Sequence, residues 1–140
     1  NFDEIVNFID SRCRTVAKKD KRAVAGLSMG GFHTMFISAN HPELFDYIGL
    51  FSAGLNMSTV NFDTPAYSNM KGKLSELDKT GYKLYWIACG TDDFLYQNNL
   101  DFMKTLDEID FEYTYHESDR GHIWANWRQY LLLFAPKLFK

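Results

Sequence analysis

Three short stretches of this 140-residue chain hold residues whose types and spacing could do nucleophilic chemistry. Gly26-Leu-Ser-Met-Gly30 sets a serine between two glycines, directly after the small apolar run Ala23-Val24-Ala25. Such a run suits a strand buried on both faces. The pentapeptide that follows it without a linker has the form of a nucleophile elbow, a strained strand-to-helix turn that projects the hydroxyl of Ser28 from the carboxyl end of a sheet. Gly26 and Gly30 are expected to give helix and strand room to pass. A helix starting at Met29 would aim unpaired N–H groups and a positive dipole end at the serine, so the Met29 backbone N–H is the expected oxyanion donor.

A serine hydroxyl is a poor nucleophile until a base takes its proton, and the base needs an orienting acid. His122, in the loop after the last expected strand, is the candidate base. The other three histidines suit packing or solvation better: His33 within the elbow helix, His41 in a turn and His116 at a strand end. Gly90-Thr-Asp-Asp93 leaves the end of another strand and offers Asp92 and Asp93, of which one could simply cap the next helix. Asp119 is a further carboxylate in a loop, where solvation is expected. Ser28, Asp93 and His122 fall in the order nucleophile, acid, base that belongs to α/β-hydrolases.

The elements that must position these residues are legible from periodicity. Phe2, Ile5, Val6, Ile9, Cys13 and Val16 predict a helix over residues 2–17 with one face on a sheet. Phe32, Met35, Phe36 and Ala39 continue a helix from the elbow until Asn40-His41-Pro42 stops it. Tyr47–Phe51 reads as a second buried strand, and the loop over 52–64 leaves its carboxyl end, where it would wall a pocket. An amphipathic helix over 66–79, a strand over 83–89 and a helix over 95–109 follow. A strand over 111–115 near the sheet edge comes next, then a closing helix over 124–138 that turns Trp127, Tyr130, Leu131 and Phe134 inward. Four strands alternating with helices predict a parallel, right-handed, doubly wound α/β arrangement, with each candidate residue just past a strand's carboxyl end.

Composition bounds the partners. At 46% hydrophobic residues and a formal net charge of −3, with lysines scattered, the chain has no electrostatic footprint for nucleic acid or an anionic membrane, and no apolar run of membrane-spanning length. Neutral or weakly charged substrates fit better. Cys13 and Cys89 are too few for a disulfide framework and are expected to be apolar core residues. The His and Cys positions lack metal-ligand spacing, so neither a metal nor a cofactor is expected.

Gly26-Leu-Ser-Met-Gly-Gly31, Cys89-Gly-Thr-Asp-Asp-Phe-Leu95 and Gly121-His-Ile-Trp-Ala-Asn-Trp-Arg128 together resemble carbohydrate esterase family one, the feruloyl and acetyl xylan esterases. The resemblance places the acid of a Gly-Thr-x-Asp pattern on Asp93 and the base of Gly-His-x-Trp-x-x-Trp-Arg on His122. It also suggests that Trp124 and Trp127 shape an aromatic acyl or sugar site, although tryptophans on a terminal helix are more often core. Position 120 is Arg where the family commonly has glycine, which puts in question the course of the histidine loop and the place of the Arg120 side chain.

The activity implied is that of a serine esterase, in a secreted or periplasmic setting, removing feruloyl or acetyl groups from a plant cell-wall polysaccharide such as xylan. Siderophore esterases, S-formylglutathione hydrolases and mycolyl transferases resemble the same elbow, and prolyl-oligopeptidase-type peptidases share the residue order. A non-catalytic carbohydrate-binding relative is the competing class. The resemblance further implies an eight-stranded fold of which residues 1–140 are the C-terminal part. The other half would supply the second oxyanion N–H. In that fold the elbow strand is central, so Ala23-Val24-Ala25 is expected to pair, on its outer side, with the absent half or a second copy.

Overall fold

A computed structural model describes residues 2–55 and 64–140 of the chain. Most of the predicted pocket-wall loop, residues 56–63, lies outside the described residues. Four strands form one parallel sheet in the order of the chain: β1 (Ala23–Leu27), β2 (Tyr47–Phe51), β3 (Leu84–Gly90) and β4 (Thr114–Ser118). Register aligns Ala23 with Tyr47, Tyr47 with Leu84 and Trp86 with Thr114, which brings the carboxyl ends of all four strands to one rim.

The helices are α1 (Phe2–Arg12), α2 (Met29–Asn40), α3 (Met70–Thr80), α4 (Tyr96–Asp107) and α5 (Trp124–Phe134). Because strand order never reverses among the described strands, the three crossover helices α2, α3 and α4 share one face of the sheet, as crossovers of one hand require. Met35, Leu74, Leu77, Met103 and Leu106 of these helices close over Ile48, Leu50, Tyr85 and Ile87. The alternate side chains of the same strands, Tyr47, Phe51, Trp86 and Ala88, pack under Tyr130 and Phe134 of α5. Helices therefore cover both faces, but the second face is covered by the terminal helix folding back and not by a switch in strand order.

Several boundaries differ from the periodicity. The first helix stops at Arg12 instead of continuing to 17, which leaves Cys13 exposed and not in the core. Although Phe2 and Val6 pack on the core cluster, Ile5, Phe8 and Ile9 remain exposed. Helix α3 starts at Met70, four residues later than its amphipathic pattern suggests, because Pro65 and the residues after it form a turn. The fourth strand is displaced three residues toward the carboxyl terminus, with Phe111 buried ahead of it and His116 inside it. Finally, α5 ends at Phe134 before a short 3-10 turn that contains Pro136, and Leu131 faces solvent at 56% exposure instead of pointing inward.

Candidate active site

Ser28 stands between β1 and α2 with φ 55° and ψ −116°, in the left-handed half of backbone space that non-glycine residues rarely enter. Its strain is held from three sides. The Ser28 N–H donates to Phe51 O at 2.9 Å, while Ser28 O accepts from the N–H groups of Gly54 (3.1 Å) and Phe32 (3.2 Å). Gly26 is required by this turn, since a Cβ there would lie 2.0 Å from Gly30 O. The second requirement falls on Gly31, whose Cβ would lie 2.5 Å from that of Ala53, and not on Gly30, which has open space around it. Met29, the first residue of α2, has an exposed side chain, and its backbone N–H opens the helix beside Ser28.

Three side chains from three loops converge there. His122 Nε2 lies 3.1 Å from Ser28 Oγ, and His122 Nδ1 lies 2.9 Å from Asp93 Oδ2 and 3.1 Å from Asp93 Oδ1. The Asp93 side chain is fully buried and that of His122 is half-buried. Asp93 Oδ1 also accepts the N–H of Leu95 at 2.9 Å, just ahead of α4. The two roles that the sequence leaves open for the aspartate pair, helix-end ligand and partner of the base, are thus both met by Asp93. Asp92 is exposed and contributes its backbone N–H to Arg120 O at 3.1 Å. The Asp119 carboxylate is solvated, 3.8 Å from Arg120 Nε.

The arrangement has the chemical parts of acyl transfer. His122 Nε2 is within reach of the Ser28 hydroxyl proton, a buried carboxylate holds the opposite ring nitrogen, and a helix N-terminus faces the position where an oxyanion would form. The imidazole sits between two aromatic rings, Phe94 at 4.7 Å and Trp127 at 5.0 Å between centroids. Trp127 Nε1 donates to Ser52 Oγ at 3.3 Å, so this tryptophan is half-buried and anchored. Trp124 meets it edge-on at 5.3 Å and is itself 67% exposed, beside the site and not in the core. Phe94, 74% exposed, was not singled out by the sequence; only its adjacency to Asp93 could have drawn notice.

The remaining histidines and cysteines lie away from this constellation. His116 stacks on Trp86 at 5.9 Å, and His33 is exposed beside Phe32. His41 Nδ1 lies 3.1 Å from Asp3 Oδ1 and 3.8 Å from Glu43 Oε1, so the turn histidine joins α1 to the far end of α2. The donor atoms of these three residues lie within 4.8 Å of one another, a proximity hidden in the sequence by a gap of nearly forty residues. The helix separates them from Ser28 by about 18 Å. Burial, with the nearby Asp93 charge, pushes the Cys89 thiol up to about 12, which leaves it an inert core residue at neutral pH.

A parallel sheet with a strained serine elbow, and with Asp93 and His122 on the loops after its third and fourth strands, has the α/β-hydrolase fold. Residues 2–138 match the esterase family described as "Putative esterase", and the chain belongs to that family. It is 49% identical over 56 residues to an endo-1,4-beta-xylanase/feruloyl esterase of Xylanibacter ruminicola, an alignment covering 40% of this chain and 8% of that protein. Over 155 aligned positions it is 26% identical to an acetyl esterase of Caldicellulosiruptor saccharolyticus, covering 92% of this chain and 58% of the relative. Its fold matches S-formylglutathione hydrolase from Staphylococcus aureus with a TM-score of 0.79 at 24% identity, covering 97% of this chain and 58% of that one. The chain thus spans little more than half of the longest-matching relatives.

Proposed function

We propose that the protein of which this chain is part is a serine carboxylic ester hydrolase that removes feruloyl or acetyl groups from plant cell-wall polysaccharide such as xylan. The observation carrying the proposal is the continuous contact from Ser28 Oγ through His122 to buried Asp93. In the reaction, Ser28 Oγ attacks the ester carbonyl carbon while His122 Nε2 takes the hydroxyl proton. The tetrahedral oxyanion is met by the Met29 N–H. Collapse breaks the bond to the sugar oxygen, which leaves with the proton from His122, and an acyl-serine remains. Water, deprotonated by the same imidazole, then releases the carboxylic acid and restores Ser28. Asp93 holds the imidazole in the required tautomer throughout. Phe94, Trp124 and Trp127 offer apolar surface next to the reacting atoms for an aromatic acyl group or a sugar face.

The substrate class draws support from the named activities of the Xylanibacter and Caldicellulosiruptor relatives. The likeness to the staphylococcal S-formylglutathione hydrolase favours a second reading, hydrolysis of a small thioester. We take residues 1–140 as the C-terminal part of one catalytic domain, whose other part pairs along β1 and supplies the second oxyanion donor; a second copy of the chain is the alternative partner. A panel of methyl ferulate, acetylated xylan, 4-nitrophenyl acetate, S-formylglutathione and a peptide amide, assayed with the complete protein, tests the proposal. Turnover of methyl ferulate or acetylated xylan is expected. A preference for the thioester selects the second reading, and a preference for the amide overturns ester hydrolysis altogether.

A further inference from the structure

The loop that carries His122 has four successive backbone carbonyls, and each one is occupied. Ser118 O accepts the Thr91 N–H at 2.9 Å, and Arg120 O accepts the Asp92 N–H at 3.1 Å, so the acid loop grips it from one side. Beside the Ser118 hydroxyl, which donates to Asp119 O at 3.1 Å, one side chain comes from the other side. Asn126 Nδ2 donates one hydrogen to Asp119 O at 2.9 Å and the other to Gly121 O at 3.1 Å. Gly121 O also takes the Ile123 N–H at 2.9 Å. Asn126 is 2% exposed, in the first turn of α5, and its amide spans the two carbonyls that flank Arg120.

Between those carbonyls the chain bends at Arg120, which has φ 64°. Without a glycine there, the left-handed backbone is opposed by the arginine Cβ and has to be held from outside. The space is fully used: a Cβ on Gly90 would stand 2.1 Å from Arg120 O and 2.7 Å from Asn126 Nδ2, and one on Gly121 would stand 3.0 Å from Asp92 O. His122 follows Gly121 directly, as Asp93 follows Asp92.

We propose that Asn126 is a positioning residue for the base: it fixes the glycine-like turn at Arg120 and thereby the approach of His122 to Asp93 and Ser28. This rests on the esterase reading above for its link to activity. The requirement is narrow. The side chain must offer two hydrogens from one atom, carry no charge beside carbonyl oxygens, and be short enough to act from the first turn of the helix. Leucine would remove the one group that ties Asp119 O to Gly121 O, leaving them only the Ser118 hydroxyl and the Ile123 N–H respectively, and aspartate would set carboxylate oxygens against them.

The test compares the complete wild-type protein with Asn126→Leu and Asn126→Asp, using 4-nitrophenyl acetate kinetics and the low-field proton NMR signal of His122 Nδ1–H. Displacement of the base by a fraction of an ångström to 1 Å should lower kcat by about tenfold to a hundredfold with KM little changed, and should shift or erase the NMR signal. Arg120→Gly added to Asn126→Leu should recover part of both, because glycine adopts the turn unaided. Leu74→Val, in the core on the opposite face of the sheet, lowers the melting temperature and should move neither readout. If both Asn126 variants keep the wild-type signal and kcat, or lose kcat only as far as the Leu74→Val protein does for the same loss of stability, the proposal is overturned. A wild type that hydrolyses no ester contradicts the esterase reading, and the NMR comparison still decides the role of Asn126.

Discussion

The described sheet has two free edges, and they are built differently. At one edge β4 reads Thr-Tyr-His-Glu-Ser, with Thr114 and Glu117 exposed, a polar strand that can end a sheet without inviting another. At the other edge β1 reads Ala-Val-Ala-Gly-Leu, without charge, proline or bulge, and Ala25 is exposed on it. Its surroundings match. An open groove of about 380 Å³ runs between α1 and β1, lined by Ile5, Val6, Ile9, Val16, Ala23 and Phe45. Ile5 and Val16 are each 58% exposed. Asp93 and His122 hang on the loops after β3 and β4, where the carbonyls of residues 118–121 are all paired, while Ser28 follows the strand whose outer side is unpaired among the described residues. The difference teaches that the two halves of one site stand on different ground: all three residues are held by contacts within this chain, but only Ser28 follows a strand whose apolar outer side is unpaired among the described residues.

The largest effect that would test the β3 and β4 side is at Asp93. In the complete protein, Asp93→Ala should lower kcat by about 10⁴, whereas Asp92→Ala should stay within severalfold, as measured by steady-state kinetics on one ester. Equal losses would remove the distinction between the two aspartates. At the β1 edge, the 140-residue chain alone should associate or aggregate in light scattering. With the second oxyanion donor placed outside residues 1–140, as proposed, it should turn over esters about 10²–10³ more slowly than the complete protein. A monodisperse and fully active chain would show that β1 is a true edge.

A charge placed on that edge sharpens the point. Ala25→Lys should be nearly neutral in the isolated chain but should destabilise the complete protein by a few kcal/mol, read as a drop in melting temperature, because a lysine would be buried when β1 is paired. The smallest effect lies in the histidine loop. Arg120→Gly should stabilise the protein by up to about 1 kcal/mol by removing the Cβ from a left-handed backbone, and a lowered melting temperature would contradict the strain assigned to φ 64°.

Much of this architecture is legible in the amino-acid sequence because its signals are local. The second strand, Tyr47–Phe51, ends where its apolar run ends, and the elbow strand runs into Ser28 as the Gly-x-Ser-x-Gly pattern requires. Arg120 takes the left-handed backbone that suits glycine, with its side chain exposed at the surface. What the sequence misplaces depends on contacts between distant segments. Gly31 and not Gly30 is crowded, because Ala53 comes from another strand's loop. The fourth strand begins at Thr114 because its pairing register with Trp86, and not its own alternation, sets its start. Cys13 and Ile9 carry a helical apolar pattern that nothing among the described residues covers, so burial could not be read from periodicity alone. Asn126 and Phe94 gave no signal, since their partners lie in the loop five to seven residues away and in the His122 ring.

The most direct measurement is fluorophosphonate labelling of the complete, folded protein followed by intact-mass and peptide analysis. One phosphonyl adduct on Ser28 is expected, formed slowly in His122→Ala and not at all in Ser28→Ala. A folded complete protein that acquires no adduct at Ser28 would contradict the account.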